Sequence, residues 1–175
     1  MSVPTIADML KYANLQMAAE ALYNFRAKAA PQSLGDLTST TGHFSGEIDP
    51  AWLTLGNEHA TRFATKTEAD KFVAQWEVVD HISNTTTGFS GTLFRALKGD
   101  PTQNIKAGDL VISFRSTEFI DDVARDCVAT NAMEIADYGW AFGQISDMEA
   151  WYAKLKADGK IPSGAKVDAT GKKLI

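Results

Sequence analysis

The sequence has one cysteine, no excess of positive charge and no long apolar run. A single cysteine among 175 residues excludes an internal disulfide framework and a zinc site built from several cysteines. The formal net charge of -5 argues against a nucleic-acid partner, because phosphate backbones are bound by clustered Lys and Arg. No stretch approaches the roughly 18 apolar residues of a membrane span, so we predict none.

The N-terminal segment carries charged residues, among them Asp8, Lys11 and Glu20, within its apolar pattern. These charges exclude the uninterrupted apolar core of a signal peptide. The default expectation is a cytoplasmic protein, and a secretion route that needs no N-terminal signal stays open. With 45% hydrophobic residues, the chain can form one domain over residues 1–175 with a substantial core, and it is small for two.

Apolar periodicity predicts a long first helix. This helix, over residues 5–28, is the main element of the segment 1–30 and is followed by a loop over residues 31–48, which are rich in Thr, Ser and Gly. Its apolar stripe, with spacings of three or four residues, consists of Ile6, Leu10, Ala13, Met17, Ala21 and Phe25.

The middle of the chain predicts a helix and then two strands. Thr67 is expected to cap a helix over residues 67–75. Strands are expected over Phe89–Leu97 and Asp109–Arg115, the second being a short apolar run of the kind that forms a buried strand. Because a modest loop joins them, the two strands are predicted to be antiparallel neighbours.

The last third of the chain is predicted to be mainly helical. Residues 119–128 have an apolar face and an acidic face. The capping box Ser146–Glu149 is expected to begin a helix that ends at Gly159, and residues 167–170 are expected to begin another strand. Helices and strands in this order predict a mixed α/β fold.

The segment Ser113–Glu118 is the strongest candidate for chemistry. It follows an apolar strand, and in an open α/β sheet ligands bind at the strand ends. Backbone amides in such a position can form an oxyanion hole, and the hydroxyl residues Ser116 and Thr117 permit close approach. The simpler interpretation is that Arg115 and Glu118 form a structural ion pair while the hydroxyls cap the next helix.

Two blocks of this sequence resemble the N-terminal half of class-three-type lipases and their bacterial relatives, which are α/β-hydrolases. The resemblance covers about residues 68–171, for which we expect a lipase-like core over 67–171. It is sharpest in the blocks Thr87-Gly-Phe-Ser-Gly-Thr-Leu-Phe94 and Asp109-Leu-Val-Ile-Ser-Phe-Arg-Ser-Thr-Glu118, and it continues at the acidic residues Asp121, Asp122 and Asp126.

The resemblance implies an incomplete α/β-hydrolase-like sheet with flanking helices. It also implies hydrolysis of a carboxylic ester or a lactone by a serine nucleophile, a histidine base and an oxyanion hole. In that family the segment after the strand supplies the oxyanion contacts, which correspond here to Ser116 and Thr117. Ser116 stands where the family has glycine, so the backbone at this position can adopt fewer conformations than in the family.

The end of the chain departs from the lipase pattern. Val167–Gly171 resembles the approach to the Gly-x-Ser-x-Gly nucleophile elbow, but the serine position falls on Lys173. We therefore expect a truncated lipase-like chain; the alternative is that Lys172–Ile175 is a cloning scar.

Ser90 and His81 are the substitute catalytic candidates. The run Gly88–Thr92 superficially resembles a nucleophile motif, but it lacks the last glycine and precedes a strand, so a strand start or bulge is the more common interpretation. His81 lies ahead of this strand and could approach the strand ends as a general base. Its more common interpretation is a partly exposed turn histidine.

Acidic residues after the second strand are candidate metal ligands. Glu118, Asp121 and Asp122 could supply oxygen ligands to calcium. They lack the glycine and the spacing of an EF-hand loop, so a solvated helix face is the competing interpretation.

A non-catalytic interaction module is the alternative from another functional class. An incomplete sheet leaves an unpaired edge and uncovered apolar faces, which favour self-association. The lipase resemblance implies a small-molecule ester or lactone as a partner. The unpaired edge predicts a second copy of the chain as a partner, in a homo-oligomer.

Overall fold

The fold is known from a computed structural model, which describes residues 4–23, 43–57, 61–83, 85, 87–115 and 141–165. The described residues form a four-stranded sheet with helices on both faces. In chain order the elements are α1 (Ile6–Ala19), β1 (His43–Gly46), α2 (Pro50–Leu55), α3 (Lys66–Val73), β2 (Trp76–Ile82), β3 (Gly91–Ala96), a 3₁₀ turn (Pro101–Gln103), β4 (Leu110–Phe114) and α4 (Phe142–Ala157).

The sheet has the strand order β1-β2-β3-β4, and every neighbouring pair is antiparallel. The predicted mixture of helix and sheet and the predicted β3–β4 pairing are therefore confirmed. A parallel α/β-hydrolase sheet is not present in the described part, because each described strand pairs antiparallel with its neighbours. Within that part β4 pairs with β3 alone and forms an edge of the sheet, where the sequence predicted an interior strand.

Helix α1 is shorter than predicted and presents a different face. It ends at Ala19 rather than at residue 28, and the Tyr23 hydroxyl donates a hydrogen bond to the Ala18 carbonyl at its C-terminus. The residues that it buries are Lys11, Leu15, Ala18 and Ala19. The apolar stripe of the sequence instead leaves Ile6 86% and Leu10 53% exposed, whereas its member Met17 packs against the core.

Two further helix starts also differ from the sequence prediction. Thr65 rather than Thr67 caps α3, because Glu68 lies three residues after Thr65 and closes a reciprocal capping box with it. Helix α4 begins at Phe142, one turn before the predicted start at Ser146. Its end before Gly159, which has a φ of +68°, agrees with the prediction.

The predicted loop 31–48 contains a strand, β1, at its C-terminal end. His43, Phe44 and Gly46 pair with β2 in an irregular register. The predicted helix over 119–128 and the predicted strand over 167–170 lie outside the described residues. No helix among the described residues is both long and apolar enough to cross a membrane.

A bulge in β2 determines which side chains face each helical layer. Val78 pairs with Phe94 and Asp80 pairs with Leu93, so Val79 is the additional residue on β2. Trp76 and Val78 pack in the core beneath α1 and α3. Beyond the bulge the alternation is inverted, and Asp80 faces α4.

The carboxylate of Asp80 fixes α4 against the sheet. It is 3% exposed, its Oδ1 accepts a hydrogen bond of 2.9 Å from Trp151 Nε1, and its Oδ2 accepts one from Lys160 Nζ. Trp151 in turn lies on the backbone of Gly91, where a Cβ atom would meet the indole ring at 2.8 Å. A buried carboxylate needs such partners, because its removal from water is costly.

Replacing Asp80 by asparagine tests this anchor. Asp80→Asn removes the charge that holds Trp151 and Lys160, and we expect the free energy of unfolding to fall by about 2–3 kcal/mol. The measurement is urea denaturation followed by circular dichroism. The matched control is Glu77→Gln on the same strand, which loses an exposed ion pair with Arg95 and should cost less than about 1 kcal/mol. Equal losses in the two variants would contradict the assignment.

Candidate functional site

The site is built at one end of the sheet, where β2 ends, β3 begins and β4 ends. Ile82 pairs with Gly91, and Gly91 pairs with Phe114, so these three positions lie in one row across the strands. Past the row, the Arg115 amide donates a hydrogen bond of 3.1 Å to the Ser90 carbonyl. The pairing therefore places the start of the Ser113–Glu118 segment directly beside Ser90.

Ser90 is buried and already hydrogen bonded. Its side chain belongs to a residue that is 3% exposed, and Oγ donates to the Ile82 carbonyl at 2.9 Å. A nucleophile must be within reach of its substrate, and here the hydroxyl instead joins the end of β2 to the start of β3. The described arrangement gives Ser90 a structural contact.

His81 is also buried, in contrast to the partly exposed turn histidine of the sequence interpretation. It lies within β2 and is 1% exposed. Its Nδ1 lies 2.8 Å from Thr92 Oγ1 on the facing strand, and its ring packs edge-on against the Tyr23 ring at a centroid distance of 4.8 Å. Burial also raises the pKa of Tyr23 far above its usual value, so the phenol stays neutral.

The neighbouring row across the strands is polar and consists of His81, Thr92 and Ser113. Thr92 pairs with Ser113 on β4, and Ser113 Oγ donates to Gln16 Oε1 at 2.8 Å. The Gln16 amide nitrogen donates to the Phe114 carbonyl at 2.7 Å and to Glu20 Oε1 at 3.1 Å. Helix α1 is therefore joined by polar contacts to the last residues of β4, immediately before Ser116 in the sequence.

This row contains an imidazole–hydroxyl pair, the chemical combination that a base-activated nucleophile requires. The pair is His81 with Thr92, and Thr92 is 0% exposed. In the described arrangement the hydroxyl can orient the imidazole and set its tautomer, while substrate has no access to it. In this arrangement the pair joins β2 to β3 and has a structural role.

The second layer covers the other side of the strand ends. Thr87 Oγ1 donates to Asp147 Oδ2 of α4 at 2.6 Å, and Phe89 packs on Trp151 and on Phe114. Gly91 is one of the glycines that make the Gly88–Thr92 run resemble a nucleophile motif. Its close contact with the Trp151 ring gives a packing reason for glycine at this position. This supports the interpretation of the run as the start of a strand.

The remaining predicted site residues lie outside the described part of the chain. These are Ser116, Thr117, Glu118, Asp121 and Asp122. Among the residues that are described, no group of three or more His, Cys, Asp or Glu side chains is placed to hold a metal ion.

Three polar residues of the site were not singled out by the sequence. Gln16 and Glu20 lie on a helix that was interpreted by its apolar stripe alone, and Thr92 was one residue of a weakly alternating strand. No sequence signal identifies Thr92, because its position opposite His81 depends on the register of the sheet and on the bulge at Val79. No local signal identifies Gln16, because its partner lies 98 residues away.

Comparisons with models of protein families, with curated proteins and with solved structures give no match to this chain.

Replacing Ser90 by alanine tests its structural contact. Ser90→Ala leaves the Ile82 carbonyl without its donor, and we expect the free energy of unfolding to fall by about 1 kcal/mol. Ser45→Ala, at an exposed position of β1, is the control and should leave stability unchanged. The measurement is again urea denaturation. An unchanged midpoint for Ser90→Ala would show that the hydrogen bond contributes nothing.

Proposed function

We propose that this chain is a lipase-like hydrolase that acts on carboxylic esters or lactones. The main structural support for the proposal is the end of the sheet described above. There Ser113, Phe114 and Arg115, which precede Ser116, are held in a fixed register with β3. The proposal rests on the resemblance of the Thr87–Phe94 and Asp109–Glu118 blocks and on the pairing of these same blocks as neighbouring strands.

In this proposal water adds to the carbonyl carbon of the ester or lactone and loses a proton to solvent. The residues after β4 bind the oxyanion of the resulting tetrahedral intermediate, which collapses to the carboxylic acid as the alkoxide leaves and takes a proton from solvent. Backbone amides are effective there when a rigid strand positions them before the reaction begins. The hydrogen bond between the Arg115 amide and the Ser90 carbonyl, and the contact between Gln16 and the Phe114 carbonyl, provide that rigidity on two sides. Ser116 and Thr117 are the proposed oxyanion residues. Ser90 supports them through its backbone carbonyl, and His81 supports them through its contact with Thr92 in the same sheet.

The proposed ligands for calcium at this site are Glu118, Asp121 and Asp122. Carboxylate oxygens are the ligands that calcium prefers, and a cation near the carbonyl oxygen would favour the charged intermediate. The assay below therefore includes calcium and a chelator as separate conditions.

Hydrolysis of p-nitrophenyl butyrate and of an acyl lactone by the purified chain tests the proposal. An oxyanion site without further groups gives about a 10³-fold acceleration over water, and we expect turnover of at least this order. Thr117→Val should lower it about tenfold by perturbing the oxyanion segment.

The matched control is Thr67→Val, at an exposed position of α3, which should retain full turnover. Ser90→Ala should retain turnover per folded molecule, whereas a nucleophilic Ser90 would lose it completely. No turnover above buffer, with or without calcium, would overturn the hydrolase proposal for this chain.

A self-associating module is the second candidate, and the edge position of β4 favours it. Phe114 is 42% exposed, and within the described residues the outer side of β4 has no pairing strand. Edge strands with exposed apolar side chains pair readily with a second copy.

Size-exclusion chromatography with light scattering tests this candidate. We expect a homo-oligomer that dissociates on dilution, and Phe114→Lys should shift it towards monomer because a charged edge opposes pairing. The matched control is Leu97→Lys, a similarly exposed apolar residue beyond the end of β3. A monomer at all concentrations would exclude the module.

A further inference from the structure

A cavity lies far from the sheet end discussed above. It has a volume of about 400 Å³ and opens between α1 and α3. Trp76 at the start of β2 lines it, whereas the candidate site adjoins Ile82 at the other end of that strand. At about 3.3 Å per residue the two are separated by about 20 Å.

The inner wall of this cavity is apolar. Phe63, Phe72 and Trp76 form it and are each no more than 5% exposed. Met17 and the exposed Leu10 extend the apolar surface from this wall along α1 to the opening. This explains the exposed apolar stripe of α1, since its Leu10 borders a cavity rather than bulk solvent alone.

The opening of the cavity carries positive charge. Arg62 and Lys71 are exposed lining residues, and within the described part of the chain neither takes part in an ion pair. Lys11 adds a third cation in the wall, where Asp8 and the Asn104 carbonyl already bind it. In a chain of net charge -5, this local excess of cations is selective for an anion.

The one carboxylate of the lining is already occupied. Glu68 Oε2 accepts hydrogen bonds from the Thr65 amide and the Thr65 hydroxyl at 3.1 and 3.2 Å. The capping box thus holds it at the N-terminus of α3, and among the described ion pairs it contacts neither Arg62 nor Lys71.

We propose that this cavity binds a free alkyl carboxylate, with the aliphatic chain against Trp76 and Phe72 and the carboxylate at Lys71 and Arg62. The apolar wall excludes a purely polar anion as the preferred ligand, and the two cations exclude a neutral alcohol or an alkylammonium ion. The volume lies at the lower end of small-molecule sites, which suits a medium-length chain. The proposal does not depend on the hydrolase activity, because it concerns binding alone.

Isothermal titration of the whole chain with sodium decanoate tests the proposal. We expect one site, with octanoate about tenfold weaker because it lacks two buried methylene groups. Decanol has the same number of carbons and no charge, and we expect it to bind at least tenfold more weakly than decanoate. All ligands are used below their micelle concentrations.

Two variants connect the binding to the opening of the cavity. Lys71→Gln and Arg62→Gln should each weaken decanoate binding about tenfold while leaving the thermal midpoint unchanged, because both side chains are exposed. Lys156→Gln, an exposed lysine on α4 in the other layer, is the matched control and should bind as the parent chain does.

Four results would overturn the proposal: no binding of decanoate, equal binding of decanoate and decanol, unchanged binding by both cavity variants, or an equal loss with Lys156→Gln. Cosedimentation with phosphatidylglycerol vesicles is run in parallel. Vesicle binding that Lys71→Gln weakens, without binding of monomeric decanoate, would also overturn it and assign these cations to a lipid surface.

Discussion

The structure depends on a buried carboxylate that joins its two layers. Asp80 projects from the sheet and accepts hydrogen bonds from Trp151 within α4 and from Lys160 just after the end of α4. Because a carboxylate in the protein interior is costly without donors, this position permits only the packing that supplies them. The indole that it holds also covers Gly91 and Phe89, so the same interaction shapes the start of β3.

The bulge at Val79 makes this interaction possible. In an unbroken strand that starts at Trp76, Asp80 would lie on the same face as Trp76 and Val78, among the apolar residues beneath α1. The additional residue turns Asp80 towards α4 and turns His81 towards Tyr23. One irregular pairing thereby produces both the anchor of α4 and the polar row that adjoins the end of β4.

The sequence predicted the elements whose signals are local. The strands Gly91–Ala96 and Leu110–Phe114 lie within the predicted segments, and their antiparallel pairing follows from the short connection between them. The end of α4 before Gly159 is likewise a local property of glycine in the left-handed region. These parts of the fold depend on neighbours in the chain.

The sequence predictions were wrong mainly where contacts between residues far apart in the chain determine the structure. The first helix stops at Ala19 although its apolar pattern continues, because Tyr23 is drawn into the core by Phe44 and His81. The start of α3 was missed for a different reason: Thr65 and Glu68 form a local capping box, and the sequence interpretation chose Thr67 instead. For the candidate site, Ser90 and His81 were located near the strand ends, but their burial and the partner Thr92 depend on the register of the sheet.

The contact between Gln16 and Phe114 has a consequence for the order of folding. It joins residues 98 positions apart, whereas β2, β3 and β4 follow one another along the chain as a meander. Closing the long loop costs more conformational entropy than closing either hairpin. The meander is therefore expected to assemble first, and the docking of α1 onto the completed β4 is the late event that gives the rim of the sheet its final shape.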